Sequence, residues 1–470
     1  MESTSIFKNK LFEQITMISG KTLIDLGYQP SKWFSSVIEY ANTNDLSIDQ
    51  LHNHISSVIP KVIEPLSSPI GFHQNILTEN EEDAKNIDSV ISVMNEILTT
   101  PTVIDAAIMP DACPTGKGEI PVGGIVVTKN AIHPSMHSAD ICCSVMATDL
   151  GYADPKSVLD AAFETTHFGI GGRDRDNQLV RLPSDLKEKI MSNYYLNSNK
   201  SLNYAHSHLG TQGDGNHFLF VGKSKSNGHT YLVTHHGSRG FGANLYNEGV
   251  YKAQMFRQEI APNVDPKNAW IPYNTKEGND YWEALQIVRE WTKLNHESLH
   301  DAIKVKVSRF LYSDRFWNEH NFVFKKDDIF YHAKGATPMT NDFVPDSTSG
   351  LRLVPLNMSE PILVMKESPN LTGLGFAPHG AGREYSRKEH CRIKLQHKND
   401  YQLFEEETQG LDVRFFSGKI DISELPSAYK NADKIKEQIR YFNLGTIVDE
   451  IEPYGCIMAG HIEKPWRKKK

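Results

Sequence analysis

The sequence predicts a mixed α/β (α+β) fold with a central β-rich core, flanking helices and a small helical extension at the N-terminus. Three patterns support this fold class: apolar residues at helical spacing before residue 70, short apolar runs separated by glycine-rich turns beyond Val103, and amphipathic stretches between those runs. With 470 residues, of which 39% are hydrophobic and 23% charged, the chain is long enough to bury a large interior.

The first 70 residues are predicted to form a separable helical extension. One helix ends at Gly27, since glycine commonly follows the last helical residue. Apolar residues at helical spacing in the next segment predict a packing face: Trp33, Phe34, Val37, Ile38 and Ala41. Three prolines then mark a linker at positions 60, 65 and 69, so we expect the main domain to begin at residue 71.

The main domain, 71–460, is predicted to alternate strands with helices. Short apolar runs predict buried strands at 104–109, 125–127, 218–221, 231–233 and 362–365. Helical patterns predict helices at 84–99, 155–163, 244–258, 281–312 and 429–441. Because binding and catalytic residues concentrate on loops, we expect the chemistry to lie where these strands end.

Charge and cysteine content limit the class of protein. The formal net charge of −8 excludes a chain that is basic throughout, so a surface that binds nucleic acid would have to be local. The basic tail at 461–470 is predicted to be a solvated terminus.

The five cysteines are odd in number and irregularly spaced, which does not fit a disulfide framework. With no leader-like segment and no run near ~20 apolar residues, we expect a cytoplasmic protein without a membrane partner.

A glycine-rich loop with one histidine is the most informative motif. It reads Pro-His-Gly-Ala-Gly-Arg over 378–383, with Ser386 and Arg387 directly after it. Glycine lets a backbone approach a ligand closely, and the planar fork of arginine matches phosphate oxygens. A neutral His379 could attack phosphorus there and carry the resulting phosphoramidate. The alternative is a glycine turn that happens to hold a histidine, and the motif alone does not decide.

Several other motifs have the residue types of a metal site. Asp140 and Cys143 are three residues apart, and a thiolate can bridge two cations. Histidines recur at strand ends next to glycine-rich turns: His217, His235, His236, His320 and His332. Arg239 follows in such a turn and suits phosphate. Each feature alone could be a structural histidine or an inert cysteine, whereas together they indicate a binuclear metal site with a phosphate pocket.

These motifs resemble those of the RtcB family of RNA ligases, the tRNA-splicing type. The matching blocks follow in the same order over roughly residues 75–460: 109–111, 116–118, 121–124, 140–143, 213–219, 235–240, 320–321, 334–337, 379–383 and 386–387. So many ordered blocks make a chance match implausible. The resemblance implies an RtcB-like fold in a divergent member of the family.

The resemblance also implies a reaction. Members of the family join RNA 3′-phosphate or 2′,3′-cyclic phosphate ends to 5′-hydroxyl ends, using GTP and manganese, through a histidine–GMP intermediate. By position, His379 is the histidine that receives the nucleotide. Five residues would bind two Mn²⁺ ions, and Cys143 would bridge the two. The five are Asp140, Cys143, His217, His235 and His320.

Further residues match the family's nucleotide and phosphate positions. The nucleotide-binding candidates are Asn216, Asn321, Asn357, Met358, Gly380, Ala381, Gly382, Arg383 and Tyr429. The candidates that would bind phosphate or the RNA end are Arg239, Lys334 and Arg387. The implied partner is a broken RNA with these ends. The sequence leaves open which RNA that is, whether an archease-like activator is needed, and the oligomeric state.

The sequence departs from the family pattern mainly at positions that contact the base. Phe220 stands in place of a glutamate, Ile362 in place of a serine, and Ala459 in place of a lysine. Cys113 replaces a histidine, and the usual Gly-Ser-Met-Gly run becomes Leu-Asn-Met-Ser at 356–359. A pocket without hydrogen-bond partners for a base discriminates that base poorly. We therefore predict nucleotidyl transfer with altered or relaxed base choice.

Two alternative functions fit part of the pattern. A binuclear site with arginine also suits a metal-dependent phosphoesterase, which would need the metal ligands and depend less on His379. A catalytically silent RNA-binding homologue would keep the scaffold without the chemistry. Retention of all five candidate metal ligands argues against the silent homologue, because a protein that only binds RNA has no need of Asp140 or Cys143.

Overall fold

The computed structural model describes residues 17–28, 30, 33–58, 61–115, 119–309 and 314–461. Several sequence predictions lie partly or wholly outside these residues: the start of the N-terminal extension, the linker proline at 60, the motif block 116–118, the end of the helix predicted to reach 312, and the basic tail beyond 461. The chain divides into two compact units, one of residues 1–63 with Glu259–Pro262 and one of all other residues. The three-part division at residues 70 and 460 stays a prediction.

Within its described residues, the first unit contains three short helices: α1 (Gly20–Asp25), α2 (Trp33–Thr43) and α3 (Ile48–Val58). A capping box begins α1, since the Ser19 hydroxyl accepts from the Thr22 N–H and the Thr22 hydroxyl accepts from the Ser19 N–H. Gly27 follows the helix with a φ of +93°, as the sequence predicts. The three helices bury a common apolar cluster that contains Leu23, Phe34, Val37, Ala41, Leu51 and Ile55. The predicted packing face of α2 is therefore confirmed.

A large mixed sheet forms the centre of the second unit. The strands, in chain order, are β1 (His73–Gln74), β2 (Val103–Cys113), β3 (Val122–Lys129), β4 (Ala131–Ile132), β5 (Cys143–Asp149), β6 (Phe218–Ser224), β7 (Thr230–His236), β8 (Ile271–Pro272), β9 (Asp314–Lys326), β10 (Ile329–Lys334), β11 (Ala336–Pro338), β12 (Arg352–Pro355), β13 (Ile362–Lys366), β14 (Phe376–Pro378), β15 (Asp412–Phe415) and β16 (Thr446–Met458). Among the described residues, the large sheet has the order β1-β2-β3-β10-β9-β5-β7-β6-β16-β13-β12, and β15 pairs with β16. Two small ribbons, β4–β8 and β11–β14, complete the strands.

Helices cover this sheet. They are α4 (Glu81–Ile97), α5 (Pro155–Thr165), α6 (Ser184–Ser192), α7 (Asn199–Ser207), α8 (Arg239–Ile260), α9 (Lys276–Val307), α10 (Arg387–Lys394), α11 (Asp400–Glu407) and α12 (Ala432–Tyr441). The longest, α9, buries Tyr281, Leu285 and Trp291 in the same apolar cluster as Met146 of β5. No helix in the described part of the chain is long and apolar enough to cross a membrane.

The predicted fold class is confirmed, with corrections to several boundaries. Each of the five predicted strands is present, within a longer strand. The helix predicted at 281–312 begins at Lys276 and ends at Val307, because Ser308 has an extended backbone. The helix predicted at 429–441 begins only at Ala432, because Tyr429 forms a β-bridge with Arg383 instead. That bridge brings Tyr429 beside the loop that holds His379.

Candidate functional site

The five predicted metal ligands come together at or next to the ends of four neighbouring strands. These strands are β9, β5, β7 and β6, in that order across the sheet. Cys143 begins β5, His235 lies at the end of β7, and His217 immediately precedes β6. Since β5, β7 and β6 are antiparallel to their neighbours, these three positions lie at the same edge of the sheet. Asp140 lies in the loop that leads into β5.

A β-bulge brings the fifth ligand to the same edge. The register between β5 and β9 shifts at Cys143 and Ser144, which pair with Asn321 and Glu319 respectively. His320 is the extra residue between these pairs, and a bulge of this kind redirects a side chain. The Nε2 atom of His320 lies 3.1 Å from Nε2 of His235. The bulge therefore brings the Nε2 atoms of the two imidazoles together, with the ring planes tilted by 46°.

The ligand atoms form two triads that share one sulfur. The first triad is Cys143, His235 and His320, and the second is Asp140, Cys143 and His217; within each, the ligand atoms lie within 4.8 Å of one another. The Sγ atom of Cys143 lies 3.2 Å from His235 Nε2 and 3.6 Å from His217 Nε2. Asp140 Oδ2 lies 3.0 Å from His217 Nε2. This arrangement fits two cations with Cys143 as the common ligand.

Hydrogen bonds orient two of the imidazoles in the way that metal binding requires. His217 Nδ1 donates to the carbonyl of Gln212 at 2.7 Å, and His235 Nδ1 donates to the carbonyl of Asn216 at 3.1 Å. With the proton on Nδ1, each Nε2 lone pair points toward Cys143, and such outer hydrogen bonds commonly fix the tautomer of a metal-binding histidine. The donor set therefore fits a pair of divalent cations.

Burial sets the charge of these groups. It lowers the pKa of His235 and of His320 well below the usual value for histidine, so both imidazoles are neutral at neutral pH. Burial, reinforced by the Asp140 carboxylate, raises the pKa of the Cys143 thiol. Burial also acts to raise the pKa of Asp140, but the neighbouring His217 outweighs it and the pKa is lowered. An anionic carboxylate and neutral imidazoles are the forms that bind cations.

The backbone around these ligands is tightly constrained. A Cβ atom at Gly237 would lie 2.1 Å from Asp140 Oδ1, so only glycine fits beside that carboxylate. Three non-glycine residues near the ligands have left-handed backbone angles: Ser138 (φ 75°), Cys142 (φ 58°) and Arg239 (φ 57°). Such angles are costly for these residue types and concentrate at functional sites.

His379 lies directly beside the first triad. Its ring centroid is 4.8 Å from that of His320. On its other side, Nδ1 donates to Asp111 Oδ2 at 2.6 Å, and its main-chain N–H donates to the same oxygen at 3.1 Å. Asp111 is fully buried on β2. The proton is thereby held on Nδ1, and the lone pair of Nε2 is free to act as a nucleophile.

The small ribbon β11–β14 fixes the position of the His379 loop. Ala336 pairs with Pro378, the residue before His379. After the loop, Gly382 has a φ of +74°, and a Cβ there would lie 2.2 Å from the carbonyl of Asp111. Only glycine combines this backbone angle with so close an approach, which explains the glycine in the motif.

One cavity of about 490 Å³ joins these groups, a size typical of small-molecule sites. Four predicted metal ligands, Asp140, Cys143, His235 and His320, line it together with His379. Every predicted nucleotide residue also lines it: Asn216, Asn321, Asn357, Met358, Gly380, Ala381, Gly382, Arg383 and Tyr429. The same holds for Lys334 and Arg387. The structure thus brings most of the predicted site residues to a single cavity.

Arg239 has a different position from the other phosphate candidates. Its guanidinium donates to the Thr211 hydroxyl at 3.1 Å and to the Gly169 carbonyl at 2.6 Å. It is not among the described residues that line the cavity. Arg239 therefore links the loop of Gly169 to the loop of Thr211, next to Gly213. Its binding of phosphate stays a prediction.

A buried carboxylate organises the arginines of the His379 loop. Glu424 accepts from Arg383 Nη2 at 2.7 Å, from Arg387 Nε at 2.8 Å and from the Tyr429 hydroxyl at 2.5 Å. The Arg383 guanidinium also donates to the Ser423 carbonyl at 2.8 Å and stacks over Tyr429, 4.9 Å from the ring centroid. These contacts hold Arg383 rigidly at the cavity wall.

Comparison with known proteins assigns this sequence to a family. The model of the family described as tRNA-splicing ligase RtcB matches residues 172–459, more than half of the chain. The chain belongs to the RtcB family. The matched range includes His217, His235, His320 and His379.

Curated relatives carry RtcB names. A tRNA-splicing ligase RtcB of Archaeoglobus fulgidus is 24% identical over 84% of this chain and 96% of its own length. A tRNA-splicing ligase RtcB of Thermococcus kodakarensis is 25% identical over 74% of this chain and 86% of its own. The RNA-splicing ligase RtcB of Escherichia coli K12 is 27% identical over 70% of this chain and 84% of its own. The low identities describe a divergent RtcB member, and membership supports RNA ligase activity.

One side of the cavity in this RtcB-family chain is apolar. We call it the apolar wall, and it consists of Phe218, Phe220, Ile362, Cys456 and Met458. Two of its members, Phe220 and Ile362, are the substitutions noted from the sequence. Cys113 also lines the cavity, whereas Ala459 is buried and does not belong to the described lining.

Two residues of the site were not assigned a role from the sequence. Asp111 belongs to the first RtcB motif block, and its place in that block is the one sequence feature that points to a role in the site. Glu424 lies just before the segment that contains Tyr429, and no motif marks it. Its position became evident only because three polar groups from different segments meet at its carboxylate.

Proposed function

We propose that this RtcB-family chain is an RNA ligase that joins RNA 3′-phosphate or 2′,3′-cyclic phosphate ends to 5′-hydroxyl ends through a histidine–nucleotide intermediate on His379. The supporting observation is the position of His379, which is anchored through Nδ1 to Asp111 while its ring adjoins a triad of metal-ligand type. A metal-dependent phosphoesterase, whose nucleophile is a metal-bound water, would depend less on a histidine oriented in this way.

In the nucleotidyl-transfer step, Nε2 of His379 attacks the α-phosphorus of a nucleoside triphosphate such as GTP. A nitrogen–phosphorus bond forms, the bond from the α-phosphorus to the bridging oxygen breaks, and pyrophosphate leaves with that electron pair. The ring becomes cationic once Nε2 is bonded to phosphorus. Asp111 Oδ2 stabilises that cation through the Nδ1 proton, at 2.6 Å.

The metal ligands would hold two Mn²⁺ ions beside the phosphates. Asp140, Cys143 and His217 would bind one ion, and Cys143, His235 and His320 the other. Such ions neutralise charge that develops on phosphate oxygens. Thiolate and imidazole ligands also suit zinc, so the choice of manganese depends on the family resemblance.

Cationic and amide side chains around the cavity would hold the phosphates and the RNA end. Lys334 is largely buried at the cavity, and burial lowers the pKa of its ammonium group, although Glu119 lies 3.5 Å away. Arg387 is half exposed at the cavity mouth, where an RNA end would enter. Asn216 is exposed beside His217, and the Asn321 side chain accepts from Gly335 N–H at 2.7 Å.

The decisive experiment supplies a broken RNA with a 2′,3′-cyclic phosphate and a 5′-hydroxyl, together with manganese and GTP. We expect joined RNA, and we expect GTP labelled at the α-phosphorus to label the protein covalently. His379→Ala should abolish both, whereas His397→Ala, a change at an exposed histidine outside the cavity, should preserve both. Hydrolysis of phosphate ends without joining, undiminished in His379→Ala, would indicate a phosphoesterase instead.

A further inference from the structure

The apolar wall begins next to the metal ligands and extends away from them. The Phe218 ring centroid lies 5.2 Å from that of His235. Phe220 is on the same face of β6 two residues further along, a distance of about 6–7 Å. Across the sheet, Met458 pairs with Phe218 and Cys456 pairs with Phe220, so the wall continues onto β16. A nucleotide whose α-phosphorus is next to His379 would therefore extend its nucleoside along this wall.

The wall offers no side chain that reads the edge of a base. Phenylalanine and isoleucine neither donate nor accept the hydrogen bonds that distinguish guanine from adenine, and the sulfur atoms of methionine and cysteine form only weak ones. Phe220, Ile362 and Met458 are each less than 5% exposed and pack in one apolar cluster. A base placed there would be held by stacking and exclusion of water.

The main-chain N–H and C=O groups of the wall already take part in hydrogen bonds of the sheet. β6 is paired with β7 on one side and with β16 on the other. β16 pairs with β15 opposite Cys456 and Met458, and Ile362 pairs with both Pro355 and Ile451. Peptide groups used in ladders on both sides of a strand are not free to bind a ligand.

Two polar groups that line the same cavity, the Glu424 carboxylate and the Asn357 amide oxygen, already have partners. Glu424 accepts from Arg383, Arg387 and Tyr429. The amide oxygen of Asn357 accepts from the main chain and the hydroxyl of Ser359, at 2.9 and 3.0 Å. The carboxylate that would best pair with the two N–H groups on the edge of guanine is thus engaged with cations.

We propose that this cavity binds its nucleoside triphosphate through the phosphates and ring stacking without reading the base, so that ATP and GTP both serve as nucleotidyl donors. The inference rests on the proposed function, because it concerns the nucleotide that His379 accepts. It assigns to Phe220 and its neighbours on the wall a specificity that depends on shape and not on hydrogen bonds.

The test measures covalent labelling of the full-length protein in manganese with GTP, ATP and inosine triphosphate, each labelled at the α-phosphorus. We expect labelling rates within about tenfold of one another, since stacking discriminates purines weakly, whereas hydrogen-bonded readout discriminates by about 10⁴-fold. His379→Ala should remove the label with every nucleotide. Labelling that favours one base by more than about 100-fold overturns the inference and leaves the proposed function intact. Absence of label with all three overturns both.

A gain-of-specificity variant tests the location of the base. Phe220→Glu supplies a carboxylate that can accept from the N1 and 2-amino groups of guanine, and it should favour GTP over ATP by about 10- to 100-fold. If the burial of a glutamate prevents folding, Ile362→Ser is the alternative variant. It is the smaller change and should shift the ratio of GTP to ATP labelling in the same direction. A folded Phe220→Glu protein that still accepts both nucleotides equally would overturn the placement of the base on the apolar wall.

Discussion

The carboxylate oxygen Oδ2 of Asp111 accepts two hydrogen bonds from one residue, His379. It lies 2.6 Å from Nδ1 of the ring and 3.1 Å from the main-chain nitrogen. The two bonds fix both the rotation of the ring and its tautomer. The partner carboxylate is fully buried on β2, so its position is set by the sheet and not by the loop that carries His379.

The first prediction concerns this pair. Asp111→Asn should lower the rate of covalent labelling by about 10²-fold or more, because the amide no longer neutralises the ring when phosphorus bonds to Nε2. The measurement is single-turnover labelling of the protein by nucleotide. Asp105→Asn, a change at a partly exposed residue of the same strand, is the matched control and should retain the rate. An unchanged rate in a folded Asp111→Asn protein would show that Asp111 acts only in folding.

The second prediction concerns metal stoichiometry. Because Cys143 belongs to both triads, Cys143→Ala should lose both manganese ions, whereas Asp140→Ala and His320→Ala should each lose one. Equilibrium dialysis followed by elemental analysis gives the ratio of metal to protein. Cys142→Ala removes the adjacent buried thiol, which lies outside both triads, and should keep two ions. Equal losses from Cys143→Ala and His320→Ala would contradict the shared-sulfur arrangement.

The fold was predictable wherever apolar runs were continuous. β6 and β7 contain uninterrupted apolar residues and were predicted from them. β9 was not predicted, since its sequence includes Asn318, Glu319 and His320, whose polar side chains are buried through tertiary partners. Glu319 forms a buried ion pair with Arg289 of α9, a contact between residues far apart in sequence. A local pattern contains no information about such a partner.

The candidate metal ligands could be proposed from the sequence for a different reason. Asp140, Cys143, His217, His235 and His320 each stand in a motif block, so residue type and order were sufficient to propose them. The bulge that aligns His320 with His235 could not be inferred, because it depends on the register between β5 and β9. The role of Glu424 was equally hidden, since it follows from the meeting of Arg383, Arg387 and Tyr429.

The third prediction concerns Arg383. Arg383→Lys should raise the KM for the nucleotide by about 10- to 100-fold, because an ammonium cannot bind Ser423 and Glu424 together and stack on Tyr429. Arg392→Lys is the control, since Arg392 is exposed on α10 and pairs only with Glu389 in the described contacts. Steady-state labelling or joining rates at varied nucleotide concentration give the comparison. Equal KM values for the two variants would exclude Arg383 from nucleotide binding.

The last prediction concerns stability against pH. Asp346 accepts from Arg289 at 2.7 Å, from Lys293 at 2.6 Å and from the Trp317 indole at 2.9 Å. Burial acts to raise the pKa of Asp346, but these partners outweigh it and hold the pKa well below the usual range. A lowered pKa in the folded state means that the carboxylate stabilises the protein above the unfolded pKa, about 4, and that this stabilisation is lost as the pH falls further.

Asp346→Asn should therefore lower the free energy of unfolding by about 2 kcal/mol at pH 7. The difference from the unsubstituted protein should shrink progressively below about pH 4. Denaturant unfolding at a series of pH values measures it, with Asp342→Asn, a change at an exposed carboxylate in the same loop, as the control. A difference that stays constant from pH 7 to about pH 3 would mean that Asp346 stabilises the fold by its shape and not by its charge.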